Sequence, residues 1–377
     1  MNSEDAHLLR RQGGRTTIQD VADALGLSKG TVSRALNNYP DISESTRLRV
    51  ARKAEAMGYR PLAQAQAIRT GRARSVGLVL SVDAENTPKP FLTDFLDGVS
   101  RAASAEHWTL TVATATSQQA GLETMHRLVE ERKADGFILP RTRIHDPRVA
   151  LCKELSVPFV LYGRVADPQG CAWFDIRGEA AMRKAVLRLA AAGHRRIAFV
   201  NGGEEYNYSV LRLAGYRRGL AEARLDESPE LIRTGAMTQE AGEAAAEALL
   251  RLPRPPTAII FALDAAALGA FRTARRLGLE IGRELSIIAY DGIPEGAFAA
   301  PGLTTFGVDA RRAGIRLTEM LIARIRGAAP ESLRELADAT LVVRGSDGPP
   351  QLGSEELARK IRAGNRQRKP DTGGEPR

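Results

Sequence analysis

The chain has 377 residues, with 54 Lys and Arg against 45 Asp and Glu, a formal net charge of +9 and 43% hydrophobic residues. This composition is typical of a globular protein of about two or three domains, and it excludes a collagen, a coiled coil and a largely disordered chain. The apolar runs are far shorter than the roughly 20 residues of a membrane span, and residues 1–15 lack the apolar core of a signal peptide, so we expect a cytoplasmic protein.

The basic excess is concentrated at the start of the chain. Residues 1–74 carry 13 Lys and Arg against 7 Asp and Glu, whereas residues 75–346 carry 34 against 33. A compact basic segment on a nearly neutral body is typical of a protein that binds a polyanion, because each phosphate contact releases counterions.

Three short amphipathic helices are predicted between residues 17 and 58, and the apolar pattern of the third places Leu48 on or near its inner face. Thr17 and Asp20 form a capping box before the first helix, and Ser28 and Ser43 are N-cap residues for the other two. The first two helices are separated by a short turn that contains glycine, which is typical of a helix-turn-helix. Such a unit leaves the start of its second helix free to enter the major groove of DNA.

The stretches TIQDVADALGLSKGTVSRALNN, ISESTRLRV and MGYRP closely resemble the DNA-binding head of the lactose-repressor (LacI/GalR) family of bacterial transcription regulators. The resemblance implies base contacts by four residues of the second helix: Lys29, Gly30, Thr31 and Arg34. It implies contacts to phosphates, or a place at the helix start, for four others: Thr17, Ser28, Ser33 and Asn37. Lysine can donate to guanine O6 and N7, and glycine lets the backbone approach the bases closely.

The segment LAQAQAIRTGR, which follows Pro61, is rich in helix formers but too short to be a stable helix alone. The resemblance implies a hinge helix that pairs with its dimer mate in the DNA minor groove. In that arrangement Ala65 contacts DNA and Ile68 takes the place of the family's usual leucine as an apolar wedge between bases. An ordinary helical linker is the alternative, and in that case Ile68→Ala would weaken specific and nonspecific binding equally.

From Ser75 onward, short apolar runs alternate with helical stretches. Eight runs are predicted to be strands: 75–80, 108–113, 135–139, 158–162, 195–200, 231–235, 257–261 and 286–290. Strands that alternate with helices predict an α/β fold with parallel sheets covered on both faces. Because the series restarts around residues 173–176, we expect two doubly wound lobes of four strands with a cleft between them. This body resembles the sugar-binding core of the same family, which has the fold of periplasmic binding proteins.

These elements predict the following order of domains: a disordered tail at 1–15, a helix-turn-helix domain at 16–61, a hinge helix and linker at 62–74, and a two-lobed ligand-binding and dimerisation domain at 75–345. The resemblance implies three crossings between the lobes, which we place near Phe174, Gly307 and Gly327. Lobe one then comprises about 75–174 and 307–327, and lobe two about 175–306 and 328–345. Residues 346–377 show no sustained heptads, so we predict a disordered basic tail and a homodimer rather than a tetramer.

Two charged residues are the main ligand candidates, Arg212 in LRLAGYRRGL and Asp291 in IIAYDG. The resemblance implies that Arg212 binds ligand hydroxyls or a carboxylate and that Asp291 accepts two sugar hydroxyls. From the residues alone, the alternative for Arg212 is a surface charge on a helix, and the alternative for Asp291 is a turn residue before glycine. Three aromatic residues in predicted cleft loops are weaker candidates, because each could instead be loop packing: Phe91, Tyr206 and Tyr208.

Two positions depart from family members that bind simple hexoses. This chain has Gly163 and Arg164 where many of them carry an aspartate after the strand, and Leu263 and Asp264 where they carry an Asn or Asp pair. The loop SVDAENTPKPF is also long and polar, which leaves room for a larger ligand. We therefore expect an oligosaccharide or a glycoside.

The sequence predicts a repressor of carbohydrate uptake or catabolism genes, a homodimer whose affinity for operator DNA changes when a sugar binds between the lobes. Two alternatives stay open: a regulator with a nucleobase or sugar-phosphate effector that acts as a co-repressor, and a ligand-binding protein without gene regulation. No enzyme is expected, because nucleotide-binding glycine motifs, HExxH and facing carboxylate pairs are missing from the sequence. Cys152 and Cys171 lack metal-ligand spacing, so no metal or cofactor is expected.

Overall fold

The computed structural model describes residues 16–60, 72–81 and 91–367. The chain consists of two compact units, Met1–Ala73 and Arg74–Arg377. The described part of the first unit is called the head, and that of the second unit is called the body. No helix within these ranges is both long enough and apolar enough to cross a membrane.

Three helices form the head: α1 Ile18–Leu25, α2 Lys29–Leu36 and α3 Glu44–Ala56. The capping box predicted for α1 is present, since the Thr17 hydroxyl accepts from the Asp20 amide and the Asp20 carboxylate accepts from the Thr17 amide. The helices bury their apolar faces against one another, as predicted, through six small side chains: Val21, Ala22, Val32, Ala35, Val50 and Ala54. Leu48, which the apolar pattern placed near the inner face of α3, is 52% exposed, because it lies about 200° around the helix from buried Val50.

Strands in the described part of the body form two sheets of six. The first sheet has the spatial order β11-β5-β4-β3-β1-β2 and contains β1 Ser75–Ser81, β2 Thr109–Ala115, β3 Gly136–Pro140, β4 Phe159–Tyr162, β5 Ala172–Ile176 and β11 Arg334–Ala337. The second has the order β12-β10-β9-β8-β6-β7 and contains β6 Ile197–Val200, β7 Ile232–Arg233, β8 Ala258–Phe261, β9 Ser286–Asp291, β10 Thr304–Gly307 and β12 Thr340–Val342. Neighbouring strands are parallel, apart from the antiparallel pair of β10 and β12.

Helices cover both faces of each sheet. They are α4 Phe91–Ala105, α5 Gln118–Glu130, α6 Pro147–Glu154, α7 Gly178–Ala191, α8 Asn207–Glu222, α9 Gln239–Leu250, α10 Asp264–Leu277, α11 Glu295–Phe298, α12 Ala310–Ile325 and α13 Ser354–Gln367. In β3, Ile138 packs into one apolar cluster, while Phe137 and Leu139 pack into another. Since successive side chains of a strand point to opposite faces, both faces of this sheet are buried, which confirms the predicted doubly wound α/β architecture.

The lobes are connected by three crossings, which follow β5, β10 and β11. The first two lie close to the predicted positions, Phe174 and Gly307. The third, predicted near Gly327, was placed too early: β11 pairs in parallel with β5 of the first sheet, so residues 328–337 belong to lobe one and the crossing is at 338–339. The eight predicted strands do not include β10, β11 and β12, in which polar residues interrupt the apolar run, or β5, which lies where the series was expected to restart.

The prediction of a disordered tail from residue 346 is also wrong for the described residues 346–367. The Ile287 amide donates to the Ser346 carbonyl oxygen at 2.7 Å, which adds the segment to the second lobe. Further along, α13 buries Leu357 and Ile361 in the core of lobe two. Residues 368–377 lie outside the described part of the chain.

Candidate functional site

A cleft lies between the two lobes, at the carboxyl ends of their strands. Its walls carry residues that follow β3, β4, β8 and β9, together with residues from the beginnings of α7 and α8. It encloses about 880 Å³ including its open mouth. Its position agrees with the rule that ligands of open parallel sheets bind beyond the carboxyl ends of the strands.

Arg212 on α8 faces this cleft and is only 8% exposed. Its guanidinium carbon lies 3.9 Å from the ring centroid of Tyr290 and 4.6 Å from that of Tyr208. Its Nη1 donates to the Ala262 carbonyl oxygen at 2.5 Å, which fixes the plane of the guanidinium. Within the described structure its Nε is buried without a hydrogen-bond partner. The guanidinium of Arg212 is therefore fixed in position, with one of its N–H groups left without a partner. It is not a solvated surface charge.

Asp291 ends β9 and also lines the cleft. Its φ of +128° is unusual for a residue other than glycine, so the turn that carries it needs support. Asp264 supplies that support, because its fully buried carboxylate accepts the amides of Gly292 at 2.8 Å and Ile293 at 2.9 Å. The Thr305 hydroxyl donates to the same carboxylate at 2.6 Å. The carboxylate of Asp264 is thus engaged in hydrogen bonds within the protein, whereas Asp291 lines the cleft.

The electrostatic environment keeps Asp291 near its titration point. Burial raises the pKa of Asp291 to about 7, the guanidinium of Arg212 opposes this, and the nearby carboxylate of Asp264 adds to it. Near neutral pH the group is therefore partly protonated in the unliganded protein. Hydroxyl donors from a ligand would stabilise its charged form.

A second polar group lies across the cleft, with Arg164 and Asp175 on lobe one and Glu179 at the start of α7 on lobe two. Arg164 donates through Nε to Asp175 at 2.6 Å and through Nη2 to Glu179 at 2.8 Å. The other carboxylate oxygen of Glu179, Oε2, is buried and has no hydrogen-bond partner among the described residues. Gly163 explains the departure from the hexose-binding pattern: its φ is +114°, and an added Cβ would lie 2.6 Å from Thr142 Oγ1, so a side chain does not fit there.

The aromatic candidates are divided by the structure. Tyr208 lines the cleft, stacked on Tyr206 at a centroid distance of 5.4 Å. Tyr206 is itself buried behind that ring and is not among the residues that line the cleft, which differs from its predicted role. The side chain of Phe91 lies outside the described part of the chain. Leu263 gives the second-lobe wall an apolar residue, where hexose-binding relatives were expected to carry a polar one.

In the head, seven of the eight predicted DNA-contacting residues lie on or beside α2, and the eighth, Thr17, caps α1. Ser28 caps the helix by accepting from the Thr31 amide at 3.1 Å, and Asn37 ends it by donating to the Ser33 carbonyl oxygen at 2.5 Å. Three of the predicted base-contacting residues are exposed: Lys29, Gly30 and Arg34. An added Cβ at Gly30 would meet only the Ser28 hydroxyl oxygen, at 3.7 Å, so packing does not require glycine there. Ala65 and Ile68 lie outside the described residues.

Comparison with known proteins agrees with both parts of this architecture. Residues 17–61 match the description "Bacterial regulatory proteins, lacI family", and residues 186–346 match a periplasmic binding protein-like domain. The HTH-type transcriptional regulator AglR of Rhizobium meliloti (strain 1021) is 36% identical over 340 residues, which cover 88% of this chain and 94% of AglR. The chain belongs to the LacI family of bacterial regulatory proteins. It is therefore a DNA-binding transcriptional regulator.

Two solved structures of this family are similar along most of the chain. One is the complex of the transcriptional regulator CelR with cellobiose, at 29% identity and a TM-score of 0.68, covering 88% of this chain and 100% of CelR. The other is the lac repressor dimer bound to operator and the anti-inducer ONPF, at 25% identity and a TM-score of 0.75, covering 89% of this chain and 100% of that one.

Sequence reasoning missed part of this LacI-family cleft. Arg164 was noted only as a departure, and Asp175 and Glu179 were not singled out. The three come from separate segments, and only the crossing between β5 and α7 brings Glu179 within reach of Arg164. The one signal in the sequence was the basic residue that follows Gly163 at the end of a buried strand.

Proposed function

We propose that this LacI-family regulator is a repressor of carbohydrate genes and that a neutral sugar in the cleft changes its affinity for operator DNA. The observation that carries the proposal is the composition of the cleft, which combines tyrosine rings with the Arg212 guanidinium and the carboxylates of Asp291 and Glu179. Aromatic rings pack on the apolar faces of sugars, and charged groups form strong hydrogen bonds with hydroxyls. The similarity to CelR, solved with cellobiose, supports a disaccharide.

The charges of the cleft favour a neutral ligand over a phosphorylated one. Arg164 is already engaged by two carboxylates, and the positive charges of Arg212 and Arg141 both act on the Asp291 carboxyl. A phosphate beside Arg212 would lie near the unsatisfied oxygen of Glu179 and near Asp291, where like charges repel. A neutral polyol instead satisfies both carboxylates as a donor and the arginine as an acceptor.

We propose further that the protein is a cytoplasmic homodimer that acts by binding and not by catalysis. A single three-helix head contacts few bases, whereas two heads related by a twofold axis read a near-palindromic site. Closure of the cleft on its ligand would change the spacing of the two heads. A coupling of about 1 to 3 kcal/mol between the sites gives a 5- to 150-fold change in operator affinity.

A thermal-shift panel tests the class of effector. Cellobiose, other disaccharides, monosaccharides, nucleobases and sugar phosphates are each added to the full-length protein. A ligand at 100 times its dissociation constant stabilises the folded state by about 2.7 kcal/mol, and we expect the largest shift from a disaccharide. A shift confined to nucleobases or sugar phosphates would replace the proposed effector with that class.

The head is tested by replacing Lys29 or Arg34 with Ala. Each should weaken binding to a DNA site selected from random duplexes by about 5- to 150-fold, because a lost base contact costs about 1 to 3 kcal/mol. Binding to unrelated duplex should change far less. The matched control is Arg52→Ala, which removes one exposed positive charge from α3. If Lys29→Ala and Arg52→Ala lost the same affinity for both kinds of DNA, Lys29 would contribute to binding only through its positive charge and not through a base contact.

The polar group formed by Arg164, Asp175 and Glu179 is tested by Glu179→Gln. Glutamine keeps the shape but lacks the charge that accepts ligand hydroxyls, so affinity for the best sugar of the panel should fall about tenfold or more. Calorimetric titration measures the change. Glu204→Gln is the control, because Glu204 is exposed and does not line the cleft. Unchanged affinity in Glu179→Gln would exclude contact between this carboxylate and the sugar.

A further inference from the structure

The two lobes are joined across the cleft by main-chain hydrogen bonds. The Ile144 amide of lobe one donates to the Glu205 carbonyl oxygen of lobe two at 2.9 Å, and the Asn207 amide of lobe two donates to the Thr142 carbonyl oxygen at 3.1 Å. Together they form an antiparallel β-bridge centred on Arg143 and Tyr206. We call residues 142–144 and 205–207 the interlobe bridge.

Each half of the interlobe bridge is held firmly by its own lobe. On the first lobe, the Thr142 hydroxyl donates to the Arg164 carbonyl oxygen at 2.7 Å, and buried Asp146 accepts the Arg143 amide at 3.1 Å. On the second lobe, Tyr206 is buried and accepts the Ser209 amide at 3.1 Å through its carbonyl oxygen. Because both halves are ordered before they meet, joining them costs little conformational entropy.

The interlobe bridge lies away from the crossings. It follows β3, which is two strands from β5, and β6, which is three strands from β10. At about 4.8 Å per strand, the second-lobe half is roughly 14 Å from the crossing at β10. A rotation of about 10° at the crossings would therefore move the two halves apart by roughly 2.5 Å, which is enough to break both hydrogen bonds.

A continuous stack connects the interlobe bridge to the ligand site. The Arg143 guanidinium lies 5.7 Å from the centroid of Tyr206, and Tyr206 stacks on Tyr208. Tyr208 is in turn covered by Arg212. A ligand that repositions Arg212 therefore acts on side chains in direct contact with the bridge.

We propose that the interlobe bridge is a main-chain latch that favours the closed over the open lobes in the absence of ligand, and that the ligand shifts the same balance further toward closure. The regulatory role of the latch rests on the function proposed above. Its effect on opening and closing of the lobes does not depend on that function. Each hydrogen bond of the latch favours the closed state by about two- to twelvefold, the usual net worth of such a bond.

The decisive variant is Asn207→Pro. Asn207 is the first residue of α8, where proline fits the helix, and Tyr206 before it is already extended, as a residue preceding proline prefers. Proline removes the amide that donates to Thr142. Asn207→Ala is the matched control, because it shortens the same side chain and keeps the amide.

Hydrogen exchange of the unliganded full-length protein measures the result. In the wild type and Asn207→Ala, the Ile144 amide should be protected, and in Asn207→Pro it should exchange about two- to twelvefold faster while β3 and β6 are unchanged. An unprotected Ile144 amide in the wild type would overturn the latch, as would equal rates in both variants. If Asn207→Pro fails to fold, Ile144→Pro with Ile144→Ala as control gives the same comparison at the Asn207 amide.

Affinity for the selected DNA site tests the regulatory role separately. Since the sugar closes the cleft and Asn207→Pro opens it, their effects on DNA affinity should be opposite in direction, relative to Asn207→Ala. No effect of the proline, or an effect in the same direction as the sugar, would overturn the regulatory role and leave the exchange result standing. Failure of the wild type itself to select DNA would instead overturn the proposed function.

Discussion

Asp291→Asn should raise the melting temperature of the unliganded protein at about pH 8 and leave it nearly unchanged at about pH 4. Burial raises the pKa of the Asp291 carboxyl from 3.8 to about 7 in the folded chain. A carboxyl whose pKa is raised by folding binds its proton more tightly in the folded state. Its contribution to the free energy of unfolding therefore falls as the pH rises from about 4 to about 7. Asparagine does not ionise and avoids a loss of up to about 4 kcal/mol.

The same substitution should abolish or severely weaken ligand binding. An amide offers one acceptor oxygen in place of two charged ones, and a hydrogen bond to a charged group is worth about 1.5 to 3 kcal/mol. Asparagine also tolerates a positive φ better than most residues, so the turn itself should survive. A gain in stability together with a loss of binding is the expected signature of a residue kept for function.

Asp264→Asn is the informative control for that experiment. Asp264 is buried too, but its carboxylate accepts three hydrogen bonds from the protein itself. An amide there would turn its NH2 group toward at least one of those donors, so we expect a lower melting temperature at about pH 8, in contrast to the gain expected for Asp291→Asn. The proposed cost of the Asp291 carboxylate would be wrong in either of two cases. In the first, Asp291→Asn melts no higher than the wild type at about pH 8. In the second, its melting temperature rises by the same amount at all pH values.

The head could be predicted almost completely from the sequence because its signals are local. Thr17, Ser28 and Ser43 each cap a helix within three residues of the amide they accept. Gly26 takes the left-handed conformation that ends α1, with a φ of +63°. Leu48 was placed on the wrong side of its helix. It was assigned to the core because leucine is hydrophobic, although the turn around it is polar.

The cleft was predictable only where one residue carries the signal. Arg212 and Asp291 stand next to recognisable strand and helix ends, whereas the contacts of Arg164 with Asp175 and Glu179 join positions up to 15 residues apart. For Tyr206 the sequence predicted a ligand contact that the structure does not show. Its place in a cleft loop suggested a ligand contact, but the interlobe bridge, formed with a segment some 60 residues earlier in the chain, buries it.

The largest errors concern the end of the chain, where pairing partners are most distant. The sequence RELA of β11 has no apolar run, and it becomes a strand only because β5, about 160 residues earlier, presents a free edge to it. In α13 the apolar residues Leu357, Ala358 and Ile361 occupy one face, but an amphipathic stretch this short is marginal alone. Its stability comes from the surface of lobe two that it covers.

Deleting residues 354–377 should therefore strongly destabilise lobe two. Leu357, Ala358 and Ile361 are each at least nine-tenths buried, and Leu357 and Ile361 lie in one cluster with Leu279 and Leu285. Burial of a large aliphatic side chain is worth about 1.5 to 3 kcal/mol, so the deletion should lower the free energy of unfolding by about 3 to 6 kcal/mol. Denaturant unfolding followed by fluorescence and circular dichroism measures the loss.

Two substituted full-length proteins separate packing from charge in the same helix. Leu357→Ala with Ile361→Ala keeps α13 but opens the core, and each truncation of a buried aliphatic residue typically costs about 2 to 5 kcal/mol. Arg359→Ala with Arg362→Ala changes only the exposed face and should unfold within about 0.5 kcal/mol of the wild type per site. If the arginine pair proved as destabilising as the aliphatic pair, α13 would be held by charge and not by the core it covers. In that case its apolar face would not explain why the segment folds.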